Sequence, residues 1–401
     1  MQAADYITLE ERFGAHNYHP LPVVLTKGDG VWVEDVEGNR YMDMLSAYSA
    51  VNQGHNNPRI LAAAHRQLDR LTLTSRAFHN DQLGPFCEQL AQLTGMDKIL
   101  PMNTGAEAVE TAIKAARRWA YDIKGVPENS AEIIVCSNNF HGRTTTIVSF
   151  STEASNQRGF GPLTPGFRVV PFGDIEAFGQ AINANTAAFL VEPIQGEAGV
   201  LIPPTDYFPR VRELCSTNNV LLMADEIQTG LGRTGRLFAC EHEGIRPDIY
   251  VLGKALGGGV VPISAMAASK EVMDVFDPGS HGSTFGGNPL ACAVAREALN
   301  VIMDEGLPAR AEAHGKVFRS RLQGLIGNGI VGAVRGRGLL NAVDILPQAG
   351  AARGFCERLR SAGILAKETH QTIIRFAPPL VLSSADLEWA LDRIEMVLSA
   401  S

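Results

Sequence analysis

No stretch of this chain is apolar for long enough to cross a bilayer. A spanning helix needs about 20 consecutive apolar residues, and no run among the 401 residues approaches that. A disulfide framework is missing as well. The six cysteines, Cys87, Cys136, Cys215, Cys240, Cys292 and Cys356, are scattered with no C-x-x-C pair, the usage of a reducing compartment rather than of a bridged scaffold or a zinc site. Basic blocks are also lacking. With 35 Lys and Arg against 43 Asp and Glu the net charge is −8, which argues mildly against nucleic acid as a partner. The opening MQAADYITLEERFG carries neither a hydrophobic signal region nor the arginines of a transit peptide, so a cytoplasmic or processed protein is expected. H-E-x-x-H, G-x-S-x-G and the P-loop are absent, leaving zinc hydrolysis, serine acyl transfer and nucleotide hydrolysis without an anchor. There is no internal repeat and no low-complexity linker.

What is present is the composition of an ordinary enzyme, 45% hydrophobic and 19% charged, in a chain too long for one small domain. One G-x-G-x-x-G occurs, at Gly230, Gly232 and Gly235. A dinucleotide fingerprint needs a strand before it, a helix after it and an acid about 20 residues on. Here Asp225 and Glu226 precede the glycines and would repel a pyrophosphate, and Arg233 and Arg236 interrupt any helix start. The motif is rejected.

The chain is organised around residues 220–259, VLLMADEIQTGLGRTGRLFACEHEGIRPDIYVLGKALGGG. Two strand-like apolar runs, 220–224 and 249–252, end in charge and then in glycine. That pattern marks buried parallel strands reaching the edge of their sheet, where α/β proteins place ligands. One edge would then present the carboxylate of Asp225 and the amine of Lys254. A lysine among apolar residues loses hydration and becomes a usable nucleophile, the kind that forms Schiff bases with carbonyls or with pyridoxal phosphate (PLP). A carboxylate facing the pyridine nitrogen is its expected partner.

Other segments supply candidates. A strand over 98–102 leads into a strong helix over 105–121, with a T-x-x-E capping box at Thr104 to Glu107. Such a helix end attracts phosphate. A strand over 132–137 delivers Phe140, able to stack on a flat ring, and Arg143, able to clamp a carboxylate. Strands over 167–171 and 187–191 follow, and Glu197 lies just past the second. HGSTFGGNPL brings the hydroxyls of Ser283 and Thr284. Turn signals around VWVEDV suggest an amino-terminal hairpin, residues 58–73 an amphipathic helix, and Tyr18 a loop position. From Pro289 the pattern changes to an α+β segment.

The strings MADEIQTGLGRTG and LGKALGGG, with MNTGAEA, FHGRT, VEPIQGEAGV, HGSTFGGNPLA and RFAPPLV, resemble class III (subgroup II) aminotransferases of fold type I along essentially the whole chain. HNYHPLPV and SAYSAVNQGH are closest to the ornithine-using members. The resemblance implies an α/β architecture: a large PLP domain (51–288) with a mainly parallel seven-stranded sheet between helices, and a smaller α+β domain built from both chain ends (1–50 and 289–401). It implies PLP on Lys254, Asp225 at the ring nitrogen, Gly105 and Ala106 amides at the phosphate, and Phe140 stacked on the ring. Gln228 joins the cofactor site. Ser283 and Thr284 would come from a neighbouring subunit, making a homodimer with shared active sites. Tyr18, Tyr48 and Arg143 would contact substrate, and Glu197 would pair with Arg375. His141 stands where animal members carry tryptophan, and no role is assigned to it. The implied reaction moves the δ-amino group of L-ornithine to 2-oxoglutarate, giving glutamate and glutamate 5-semialdehyde, which cyclises to pyrroline-5-carboxylate and links to arginine and proline metabolism. N-acetylornithine or 4-aminobutyrate as donor is the nearest alternative. An aminomutase or decarboxylase, or a non-catalytic binding protein, are the more distant ones.

Overall fold

A computed structural model describes residues 1–399. Its centre is a seven-stranded sheet, in order Lys98–Met102, Ser264–Ala268, Ile249–Leu252, Leu221–Asp225, Thr186–Val191, Glu132–Cys136 and Phe167–Val170. Six strands run one way, and Ser264–Ala268 runs against both its neighbours. The inner strands are buried along their whole length. That two-sided burial is why they read as continuous apolar runs instead of alternating ones.

Helices cover both faces. The alanine-rich helix Gly105–Trp119 packs its small side chains on Ile133, Val135, Met223 and Val251. On the opposite face the helix Pro289–Asp304 lays Ala291, Ala295 and Leu299 against Tyr250, Leu252 and Ala265. This helix begins where the sequence pattern changes, yet its apolar side belongs to the large sheet.

Both chain ends meet elsewhere. The antiparallel strands Leu25–Asp29, Trp32–Asp35 and Arg40–Asp43 form the expected hairpin region, and the last pairs in parallel with Ile364–Leu365. Met42 and Met44 are fully buried beside Phe318, Phe376 and Leu391. A second small sheet holds Val331–Arg337, Leu340–Ile345, Ile373–Phe376 and Lys367–Thr369.

Three local expectations change. The helix expected over 58–73 stops at Leu68, followed by Asp69 as its cap. The helix Gly105–Trp119 passes into a π turn, Ala120–Lys124. A further helix, Leu83–Thr94, lies where the sequence offered no clear element. All six cysteines are free. Among the described residues no helix is long and apolar enough to cross a membrane.

Candidate active site

Asp225 is the last residue of its strand, and Lys254 follows the adjacent parallel strand by two residues. Both therefore emerge at the carboxyl edge of the sheet, where they line one cavity of about 210 Å³ with Gly105, Phe140 and His141. The two groups on which the sequence argument turned are together.

Asp225 is 4% exposed. Its Oδ1 accepts from the Ile227 N–H at 3.1 Å, and its Oδ2 lies 2.7 Å from His141 Nδ1. The His141 ring is fully buried, and its Nε2 has no partner among the described residues. Burial works against a charged imidazole here, but the hydrogen bond and charge of Asp225 outweigh it and raise the pKa. Glu192, directly after the strand Thr186–Val191, is a third buried acid. Its Oε2 accepts the Phe140 N–H at 3.0 Å. Burial, with the neighbouring Asp225 charge, pushes its carboxyl up to about 7 against the pull of His141. Lys254 is depressed by loss of hydration, although Glu197, Asp225 and Glu192 oppose the shift. A lysine so placed keeps more of its amine in the neutral, nucleophilic form.

The opposite end of the cavity is a helix start. Thr104 Oγ1 accepts the Glu107 N–H at 3.2 Å, and Glu107 Oε2 accepts the Thr104 N–H at 2.6 Å, so the capping box closes as expected. Gly105 and Ala106 begin the helix and face the cavity, where first-turn N–H groups have no partner within the helix. Gly142, at φ +127°, allows close approach, since a Cβ there would lie 2.9 Å from the Ala106 Cβ. A buried acid, an amine, an aromatic side chain and an anion-binding helix end around one slot fit PLP: Asp225 for the ring nitrogen, Lys254 for the carbonyl carbon, Gly105 and Ala106 for the phosphate.

Above this floor, Glu197 Oε1 meets Arg375 Nη1 at 2.6 Å and accepts from Gln228 Nε2 at 3.2 Å. Burial alone would raise the Glu197 pKa, but the Arg375 charge and hydrogen bond, then Lys254, bring it down. Arg375 is buried, and its Nε is unpartnered among the described residues. The Tyr48 ring lies under it, with the guanidinium carbon 5.3 Å from the ring centre. Burial raises the Tyr48 phenol, while Arg375 pulls it down and Tyr18 adds to the rise. Gly196 leaves room for the Gln228 amide, whose Oε1 would lie 1.4 Å from a Cβ at that position, so a larger residue there would displace the Gln228 side chain.

The remaining candidates stay outside the cavity. Tyr18 is 73% exposed in a loop. Arg143 is exposed, donates to Asn156 Oδ1 at 2.8 Å and lies 5.4 Å from the Phe140 ring centre. Ser283 Oγ accepts from Asn103 Nδ2 at 2.9 Å, and Thr284 is exposed. The sequence reading missed His141 and Glu192. Glu192 carried the same signature as Asp225, a carboxylate directly after a buried apolar run.

A family model described as aminotransferase class III matches residues 13–398. The ornithine aminotransferase of Brevibacillus brevis is 62% identical over 388 residues, 97% of this chain and 96% of that protein. A structure of the Toxoplasma gondii ornithine aminotransferase, described with partial occupancy of PLP at its active site, superposes with a TM-score of 0.98 at 49% identity, over 99% of this chain and 94% of that one. The acetylornithine aminotransferase of Elizabethkingia anophelis gives 0.91 at 51% identity, covering 99% of both chains.

Proposed function

The chain belongs to the class III aminotransferases, PLP-dependent transaminases, and from that premise we propose that it transfers the δ-amino group of L-ornithine to 2-oxoglutarate. The products are glutamate and glutamate 5-semialdehyde, the latter closing to pyrroline-5-carboxylate. The observation that carries this reading is the closed Glu197–Arg375 pair, 2.6 Å long, over the cavity that Lys254 lines.

When bound, PLP supplies a conjugated sink for the electrons released at the amine-bearing carbon. Lys254 Nζ, with its pKa depressed, takes the proton from that carbon and returns it. Asp225, held by His141 and the Ile227 amide, keeps a proton on the ring nitrogen. Phe140, which lines the same cavity, would cover the ring. Ornithine offers two amines, and Tyr18 and Arg143, both at the rim, hold its α-carboxylate end outward so that the δ-amine enters. With Glu197 closed on Arg375, no free cation draws that carboxylate inward. When Glu197 turns away, Arg375 receives the α-carboxylate of 2-oxoglutarate, and its unpartnered Nε provides a further donor.

Ser283 and Thr284 serve the cofactor phosphate of a second copy, which is consistent with their place outside the chain's own cavity. Phe285, 54% exposed beside them, and Phe78, 70% exposed, offer apolar surface for a homodimer. The shared cluster of Met42, Met44, Phe318 and Phe376 supports a small domain drawn from 1–50 and 289–401 beside a large one, 51–288. Pro289–Asp304 then lies across that boundary on the large sheet. Six free cysteines accord with a cytoplasmic setting.

The likeness to an acetylornithine aminotransferase at 51% identity favours N-acetylornithine as the second reading. Incubation of the holoenzyme with each of ornithine, N-acetylornithine and 4-aminobutyrate, with 2-oxoglutarate, decides between them. A trapped pyrroline product from ornithine, formed faster than either competing product, is expected. Faster turnover of N-acetylornithine would overturn the assignment.

A further inference from the structure

Arg233 is the largest of the fully buried side chains, with none of its surface exposed. Among the described residues it has no carboxylate within 4.0 Å. Its guanidinium is held by neutral oxygens alone. Nη1 donates to the carbonyls of Leu339 at 3.0 Å and Pro378 at 2.6 Å, and Nη2 to Ser46 Oγ at 3.0 Å and Asn52 Oδ1 at 2.5 Å. Burial pushes its pKa down to about 9, with the charge of Asp43 opposing. A buried cation without a counter-charge is costly, and an apolar side chain of similar volume would pack there more cheaply. What an apolar residue could not do is tie three segments together.

Two of those segments, and the loop that carries Arg233 itself, bear residues of the active site. Ser46 opens a turn in which four successive non-glycine residues, Ser46, Ala47, Tyr48 and Ser49, have φ of 46°, 48°, 59° and 74°. Left-handed residues of this kind persist only where their surroundings force them. Ser46 Oγ is fixed on both sides, donating to the Ala377 carbonyl at 2.6 Å while accepting from Arg233. Tyr48 is carried on that turn. Pro378 follows the strand Ile373–Phe376 that bears Arg375, and Asn52 O accepts from the Leu380 N–H at 2.8 Å. Arg233 itself closes the loop that starts at Asp225 and includes Gln228. Its own carbonyl accepts from the Leu339 N–H at 3.0 Å.

We propose that Arg233 is a positioning residue that holds Tyr48 and Arg375 in fixed relation to the Asp225–Gln228 loop, and thereby sets affinity for the dicarboxylate co-substrate. The inference rests on the reading that Arg375 receives the carboxylate of the 2-oxo acid. Only a planar fork reaches four acceptors on three segments, so lysine, a single ammonium on a flexible stem that loses charge more readily on burial, loses the geometry.

The test uses Arg233→Lys holoenzyme. Glutarate, a dicarboxylate that cannot react, is titrated by calorimetry, and KM for 2-oxoglutarate and for ornithine, kcat, visible absorbance and Tm are measured beside it. Loss of one or two charge-assisted hydrogen bonds predicts a glutarate Kd and a 2-oxoglutarate KM raised roughly ten- to a hundred-fold, with visible absorbance kept and ornithine KM changed far less. A lowered Tm with unchanged glutarate affinity would reduce Arg233 to a structural role and overturn the proposal. Should Arg233→Lys not fold, Ser46→Ala removes the acceptor on the Tyr48 turn. It should weaken glutarate in the same direction by a smaller factor, and wild-type affinity in it overturns the proposal equally. Arg375→Lys is run in parallel. If it too leaves glutarate binding intact, the carboxylate role of Arg375 fails and the inference falls with it. If it weakens glutarate while the other two variants do not, Arg233 alone is refuted.

Discussion

The floor of the cavity and its rim are built on different terms. On the floor, Asp225, His141 and Glu192 are buried, each is hydrogen-bonded, and the ionisation of His141 and Glu192 is set by neighbours in the same chain. At the rim, Tyr18 and Arg143 are exposed, and Ser283 and Thr284 lie outside the lining of the chain's own cavity. Removing one partner of a buried charged pair costs roughly 3–5 kcal/mol, whereas an exposed pair contributes about 0–1 kcal/mol. The floor is thus fixed by buried contacts of one fold, whereas the outer groups make only local ones, Arg143 with Asn156 and Ser283 with Asn103.

The contrast is broken most directly at Asp225. Asp225→Ala should lower kcat by about two to four orders of magnitude, and a loss no larger than that of a rim variant would end the distinction. His141→Phe leaves Asp225 Oδ2 without its charge-assisted donor. A cost of about 1.5–3 kcal/mol, or roughly ten- to a hundred-fold in kcat, is expected, and an unchanged kcat would remove His141 from the floor. Glu192 sharpens the comparison through pH. Its carboxyl titrates higher in the folded chain than in the unfolded one, so the fold binds the extra proton. The stability this brings is complete below the ordinary value of 4.5 and is lost as pH rises through about 7. Thermal melts of Glu192→Gln against the parent should therefore show the parent losing Tm across that window and the variant losing less. Parallel curves would refute the shifted carboxyl. The smallest effect belongs to the rim: Tyr18→Phe should raise the ornithine KM about two- to ten-fold, the worth of one hydrogen bond, with kcat nearly intact. A large fall in kcat instead would place Tyr18 on the floor.

The strands that make the floor were legible because two-sided burial leaves an unbroken apolar run, and Asp225 and Lys254 stand where two such runs stop. The capping box at Thr104 and Glu107 was legible because its chemistry is local. His141 was not, since its partner lies 84 residues away and nothing local marks the pairing. The reversal of Ser264–Ala268 was equally hidden, because an apolar run carries no direction. Leu83–Thr94 escaped because Gly84 and Pro85 in its first turn mimic a loop, although Phe86 and Leu90 keep helical spacing. The Glu197–Arg375 pair came through resemblance, and the 2.6 Å contact gives it a physical footing.

Because Ser264–Ala268 runs backwards, the chain leaves Leu252 and re-enters the sheet at Ser264 along the same border, with Ala265 opposite Leu252. It never needs a crossover helix, which a parallel return would demand. Lys254 is strung on a short arch anchored at both feet, its own backbone wound at φ 44°. Such an arch gives its main chain little room to drift. Whatever travel the amine makes between carbonyl and proton is then the swing of a four-carbon tether about a fixed pivot, and its reach is a matter of side-chain rotamers rather than of loop motion.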